Sequence, residues 1–184
     1  MLIEQLLNRV RRNHALEHAT INLLSRRHPG VPLVGISGPQ GFTLYSSMSA
    51  EDIIPAARQA LRALQSGAAA LAIHENCGTN LAITAMLTTL ATMLGLRHTP
   101  GGARTATRDT GGAWRSLLER LPQTVLLNAM ALVVAMPVAR WVQANVTTSP
   151  DVEGLEIVSF FTDCWGGLSR IRVHTRLSRG GLRA

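Results

Sequence analysis

CGTNLAITAMLTTLATMLGL, residues 77–96, holds no charged residue in twenty positions, and LPQTVLLNAMALVVAMPVA, residues 121–139, holds none in nineteen. As α-helices these stretches would be about 28–30 Å long, the thickness of the hydrocarbon core of a bilayer. Arg97 and Arg140 close their C-terminal ends, and Trp114 and Trp141 lie near the boundaries, where amphipathic rings prefer to sit. The competing reading is a pair of buried helices in a soluble α+β protein. Threonines in the first stretch, and Pro122, Gln123, Asn128 and Pro137 in the second, keep it open. Composition favours the membrane: only 16% of residues are charged, against about a quarter in ordinary soluble domains.

Outward from this pair, both flanks alternate helical and strand patterns. On the N-terminal side, Ile3, Leu7, Val10, His14, Glu17, Ile21 and Leu24 recur at spacings of four and three, which predicts one amphipathic helix over residues 2–27. On this pattern Arg9, Arg12, Leu16 and Leu23 point away from the stripe. Pro29, Gly30 and Pro32 end the helix. Residues 31–47 read as a β-hairpin around the turn Ser37-Gly-Pro-Gln-Gly41. A second helix is expected from Ser49, as N-cap, to about Gln65, with Gly67 ending it. The short apolar run Ala69 to His74 reads as a strand.

On the C-terminal side, residues 155–161 and 168–174 read as two strands around Trp165-Gly-Gly167. The loop Arg97 to Arg120 and the basic last ten residues read as exposed. The expected fold is α+β: a small mixed sheet with an N-terminal amphipathic helix, interrupted by a two-helix transmembrane hairpin. Its parts are residues 1–76, the hairpin 77–143, and residues 144–184, which complete the first part. A hairpin that crosses and returns puts both flanks on one side of the membrane. The arginines of the central loop argue for a cytoplasmic loop, whereas an N-terminal part without a secretory signal argues for a cytoplasmic domain.

The net charge is +7 and all eighteen basic residues are arginine. They are scattered rather than gathered into a stripe, and aromatic residues make up only 4% of the chain. Both facts argue against nucleic acid as a partner, and contact with anionic lipid headgroups accounts for the charge. Two cysteines, Cys77 and Cys164, do not make a disulfide framework.

The chemistry concentrates in the first helix. His14 and His18 are four apart, so they project from one face about a turn apart, a spacing that suits two ligands of one metal. Glu17 adjoins that face. Two imidazoles and a carboxylate buried without partners would cost several kcal/mol, and a divalent metal satisfies them; imidazole favours Zn²⁺, with Fe and Mn open. The alternative is a polar core network of these side chains with backbone. A third ligand is expected from residues 74–80, where His74, Glu75 and Cys77 can all bind. Cys164 is a further candidate; with His14, His18 and Cys77 it would close a structural site. A thiol nucleophile at Cys77 is a separate option. His28, His98 and His174 receive no role.

The pattern His14-Ala-Leu-Glu-His18 resembles the signature of the inverzincin metallopeptidases. That resemblance implies His14 and His18 as zinc ligands, Glu17 as the group that activates water, and a downstream glutamate, here Glu75, as third ligand. More broadly, the run Arg12-Asn-His-Ala-Leu-Glu-His-Ala-Thr-Ile21, with Ala72-Ile-His-Glu-Asn-Cys-Gly-Thr-Asn80, resembles an uncharacterised family of small bacterial membrane proteins, a domain of unknown function. It implies a membrane location and a shared site built from these two motifs, and brings no activity with it; the expected location is the bacterial inner membrane, multi-pass.

Two functions follow as expectations. One is a membrane-anchored, zinc-dependent hydrolase or peptidase acting on a peptide or a lipid-proximal substrate through metal-bound water. The other is a non-catalytic accessory or assembly protein of a larger membrane complex, with a structural metal or a buried polar cluster.

Overall fold

The computed structural model describes residues 2–97 and 110–178, with the side chains of Leu2, of residues 110–117 and of Trp165 left aside. These residues form two compact units, one from the two ends of the chain and one from its middle.

The first unit is a two-layer α+β sandwich. Helix α1 (Leu2–Arg27) leads into the strands β1 (Leu33–Gly38) and β2 (Gly41–Ser46), then helix α2 (Ala50–Gln65). After the excursion through the second unit the chain returns as β3 (Leu155–Trp165) and β4 (Leu168–Leu177). The sheet order is β1-β2-β4-β3. All three pairings are antiparallel, so the sheet is not the mixed one expected. Alternation along β2 and β4 decides which face is covered. Leu44 pairs with Ile171 and Phe42 with Val173, and all four are buried against α1 and α2 with Leu24, Ile53 and Leu64. Each such side chain contributes about 1.5–3 kcal/mol relative to exposure. The β3–β4 turn is Gly166-Gly167, with φ of +57° and +80°. Two consecutive left-handed residues are what a two-residue hairpin loop requires.

Two local expectations are corrected. The run Ala69–Ala72 is a 3₁₀ turn, not a strand. Asn22 Nδ2 donates to the carbonyls of Leu71 and Ile73, and His18 Nδ1 donates to that of Ala72. The acceptors that a strand would offer to a neighbour are thus taken by α1. Second, α1 is not a single-faced helix. Leu16 is fully buried while Ile3 is 73% exposed, because the sheet and the residues after α2 wrap the middle of the helix and leave its first turns bare. Ser49 is the N-cap of α2 as expected, with its hydroxyl donating to Asp52.

Beyond α1, the segment entering β3 is tied back to it. Arg11 donates to the carbonyls of Asn145 and Thr148, Ser149 N donates to Arg11 O at 3.0 Å, and Arg12 meets Asp151 at 2.8 Å. These contacts fix the π-helical turn Gln143–Thr147 beside α1.

At the far end of β3, the Asp163 carboxylate lies between Arg170 and Arg172. The Arg170 hydrogen bond, aided by both guanidinium charges, holds the Asp163 carboxyl at about 2, below its ordinary 3.8, and the same pairing raises Arg170. A carboxyl depressed in the folded state contributes stability above its unfolded value and loses it as pH falls. Asp163→Asn should therefore melt earlier than wild type near neutral pH, with the gap closing as pH falls from about 4 to about 2. Melting curves across that range would check it, and a gap that stays constant would refute it.

The second unit is an antiparallel helix pair, α3 (Gly78–Arg97) and α4 (Thr110–Val142). The second helix starts earlier than expected, inside the segment read as a loop; His98, Arg104 and Arg108 lie outside the described residues, as does the Trp114 side chain. Small and polar residues make the contact. A Cβ at Gly95 would fall 2.9 Å from Thr124 Cα, Asn128 Nδ2 donates to Thr92 Oγ1 at 3.0 Å, and Arg120 donates to Leu96 O at 2.7 Å. Ala91 and Gly95, four apart, let the two backbones approach closely. Both helices are long and apolar enough to cross a membrane.

Candidate metal centre

The site grows from one face of α1. Residues 14, 18 and 22 follow at steps of four, so His14, His18 and Asn22 stack along the helix. His14 and His18 have ring centroids 4.2 Å apart, and His74, on the segment after the 3₁₀ turn, has its ring 5.9 Å from that of His18.

Each ring is held through the same nitrogen. His14 Nδ1 bonds Thr147 O at 2.9 Å, and His18 Nδ1 bonds Ala72 O at 2.7 Å. His74 Nδ1 bonds Asn22 Oδ1 at 2.8 Å. A carbonyl oxygen only accepts, so Nδ1 carries the proton in all three. The Asn22 oxygen is fixed as the acceptor because its Nδ2 already donates to two carbonyls. The neutral ring then keeps its lone pair on Nε2. This is the arrangement in which metal-binding histidines are oriented, with the other N–H given to a carbonyl. His18 is 1% exposed, and its Nε2 is buried without a hydrogen-bond partner among the described residues.

Cys77 supplies sulfur. It is half-buried and stands just before the first turn of α3. Asn80 N donates to its carbonyl at 2.9 Å and Thr79 N to its Sγ at 3.4 Å. One ligand atom each from His14, His18 and Cys77 lies within 4.8 Å of the others, so this group can bind a metal. Two imidazoles with one thiolate suit a borderline-soft ion such as Zn²⁺.

The other sequence candidates fall elsewhere. Successive residues on a helix diverge by roughly 100°, and Glu17 faces β1. There the Ser37 hydroxyl donates to its carboxylate, which lies against the Gly35 backbone. Glu75 is exposed, and both it and His74 lie outside the three-residue group. Cys164 is exposed on β3, opposite Ser169. His28 is half-exposed beyond the end of α1, and His174 packs edge-on against Phe161. Sequence reasoning missed Asn22 and Gln143, whose Oε1 accepts from His74 N at 3.1 Å. Asn22 was discoverable, as the next step of the four-residue spacing; Gln143 carries no local signal.

The chain belongs to an uncharacterised family, the domain of unknown function DUF6391, whose model matches residues 9–160. That span contains both α1 from Arg9 onward and the segment leading to Cys77. The chain is similar to an uncharacterized protein of the cyanobacterium Picosynechococcus sp. (strain ATCC 27264 / PCC 7002 / PR-6), 32% identical over an alignment of 154 residues that covers 76% of this chain. The match spans 66% of that relative's length, just under two thirds. No solved structure matches.

Proposed function

We propose that this chain is a membrane-anchored metal-binding protein whose α3 and α4 cross the lipid and whose His14, His18 and Cys77 hold a divalent ion, Zn²⁺ by donor preference. The observation that carries the metal is the buried, unpartnered Nε2 of His18, next to a second imidazole and a thiol. Left empty, that nitrogen costs about 1–3 kcal/mol of desolvation; a bound ion offsets it.

The membrane part rests on exposure. In the most apolar window of each helix only 17% and 11% of residues are buried, whereas the core helix of a soluble protein hides most of such a surface. Leu81, Met86, Val125, Met130 and Val133 are all more than half exposed, a surface that lipid tails solvate. Because β4 pairs with β2, the chain leaves and re-enters one sheet, as a hairpin crossing twice and returning to the same side would. A multi-pass protein of the bacterial inner membrane fits this, with the bilayer as its first partner.

Hydrolysis is the second reading, carried by the His14-x-x-Glu17-His18 spacing. There the ion would supply an activated water for a peptide or lipid-proximal substrate, and Glu17 would take its proton. The Glu17 carboxylate is already engaged by Ser37, which favours a non-catalytic, accessory role in a larger membrane assembly.

Metal analysis of detergent-purified protein tests the proposal. We expect about one ion per chain in wild type, loss of most of it in His14→Ala, and retention in Glu17→Gln. Wild type that stays metal-free after incubation with zinc would leave a buried polar network in place of the centre. Turnover lost in Glu17→Gln with metal retained would restore the hydrolase.

A further inference from the structure

We propose that the first turns of α1 lie on the bilayer as an interfacial helix, with Ile3, Leu6 and Leu7 in the acyl boundary and Arg9 at the headgroups; this rests on the membrane-anchored reading above. Three observations carry it. The first is pattern. Ile3, Leu6, Leu7 and Val10 follow at i, i+3, i+4 and i+7, one stripe of a helix, while Gln5 and Asn8 occupy the opposite side. Ile3, Leu6 and Leu7 are 73%, 43% and 57% exposed, and burial along α1 begins only at Val10. Among the described residues, nothing in the protein covers this stripe.

Position is the second. Arg11 donates to the carbonyls of Asn145 and Thr148, and Ser149 N donates to Arg11 O. Asn145 belongs to the apolar stretch Leu118–Thr147, so the bare turns of α1 begin beside the residues through which the chain leaves that stretch. Charge is the third. Arg9 is exposed and flanks the stripe, with Arg11 two residues on; Arg12 is offset by Asp151, and Glu4 is the single acidic residue among residues 1–12. Basic residues beside an apolar stripe suit an anionic membrane surface. A second copy of the chain fits less well. Three large apolar side chains expose far less than the about 800 Å² that each partner brings to a stable dimer, and a coiled coil needs about three heptads or more.

Tryptophan scanning of the full-length protein tests this, in a background with Trp114, Trp141 and Trp165 changed to phenylalanine. The probes are Leu6→Trp on the stripe, Asn8→Trp about 200° round the helix from it, and Val133→Trp, at a position 76% exposed on α4. Each protein is reconstituted in vesicles of phosphatidylcholine and phosphatidylglycerol, with and without brominated acyl chains. Leu6→Trp should emit to the blue of Asn8→Trp and be quenched by bromolipid about twofold more strongly, or better, as a face about 5–10 Å deep in the boundary requires. Equal, weak quenching at residues 6 and 8 overturns the interfacial helix. A blue-shifted Leu6→Trp that bromolipid does not quench overturns it too, since protein, such as a second copy, then covers the stripe. Val133→Trp reports separately on the crossing. Strong quenching there with none in Leu6→Trp overturns the interfacial helix and leaves the membrane-anchored reading standing; none in Val133→Trp removes that reading and the interfacial helix with it. Should the phenylalanine background fail to fold, each probe is read as the change it makes in otherwise wild-type protein.

Discussion

Gly35→Ala is expected to lower stability by about 3 kcal/mol, combining overpacking with disruption of a hydrogen bond to a buried charge. Residue 35 pairs with Leu44 in the middle of the hairpin, where an alanine would ordinarily do no harm. Here a Cβ would land on the Glu17 carboxylate, within 2.7 Å of its Cγ. Glu17 is 5% exposed and accepts from Ser37 two residues further along β1. It cannot retreat into solvent without uncovering the helix–sheet contact, so either the strand moves off α1 or the carboxylate leaves its donor. For a chain of this length the loss amounts to a fall of about 6–12 °C in melting temperature. The double variant Glu17→Ala with Gly35→Ala should be markedly more stable than the sum of the two single changes, since the clash disappears with the carboxylate. Additive losses, or a Gly35→Ala protein that melts with wild type, would show that the contact is not tight.

This contact marks how far the sequence could be read. Elements whose own residues repeat with a strong period were legible: α1, the hairpin, α2 and the last two strands fall where periodicity and glycine or proline punctuation placed them. The uncharged stretches were legible as helices from their length and lack of charge instead. Glycine inside a strand signals close approach of another group, yet nothing in the hairpin says that the group is Glu17. The run 69–74 failed likewise. Its composition allows a strand, but Asn22 and His18 claim its carbonyls, and those partners are about fifty residues away along the chain. Of the candidate centre, the His14–His18 pair followed from helical geometry alone. The seat of Glu17 on β1 depends on tertiary placement that no local spacing encodes.

His18→Ala and His18→Asn are expected to differ, and the difference separates the two jobs of this side chain. The imidazole fills fully enclosed space and donates to Ala72 O, so alanine leaves a cavity and an unpaired carbonyl at about 2–4 kcal/mol. Asparagine is shorter than histidine, but its Nδ2 occupies much the same place as the imidazole Nδ1. It retains the bond to Ala72 and loses only Nε2. Both variants should fail to hold metal. With free metal a thousandfold above Kd, binding adds about 4 kcal/mol to the folded state, so a chelator should lower the wild-type melting temperature by about 8–16 °C. Without a bound ion to remove, His18→Asn should melt at the same temperature with and without chelator, close to chelated wild type. His18→Ala should melt lower still. A His18→Asn protein that keeps stoichiometric metal would remove His18 from the ligand set. A wild type indifferent to chelator, with metal shown to be bound before and absent after, would mean that the ion contributes nothing to holding α1 against the segment that follows Ala72. Thr147 and Ala72 would then be carbonyl partners of a polar network whose stability comes from the three Nδ1 bonds alone.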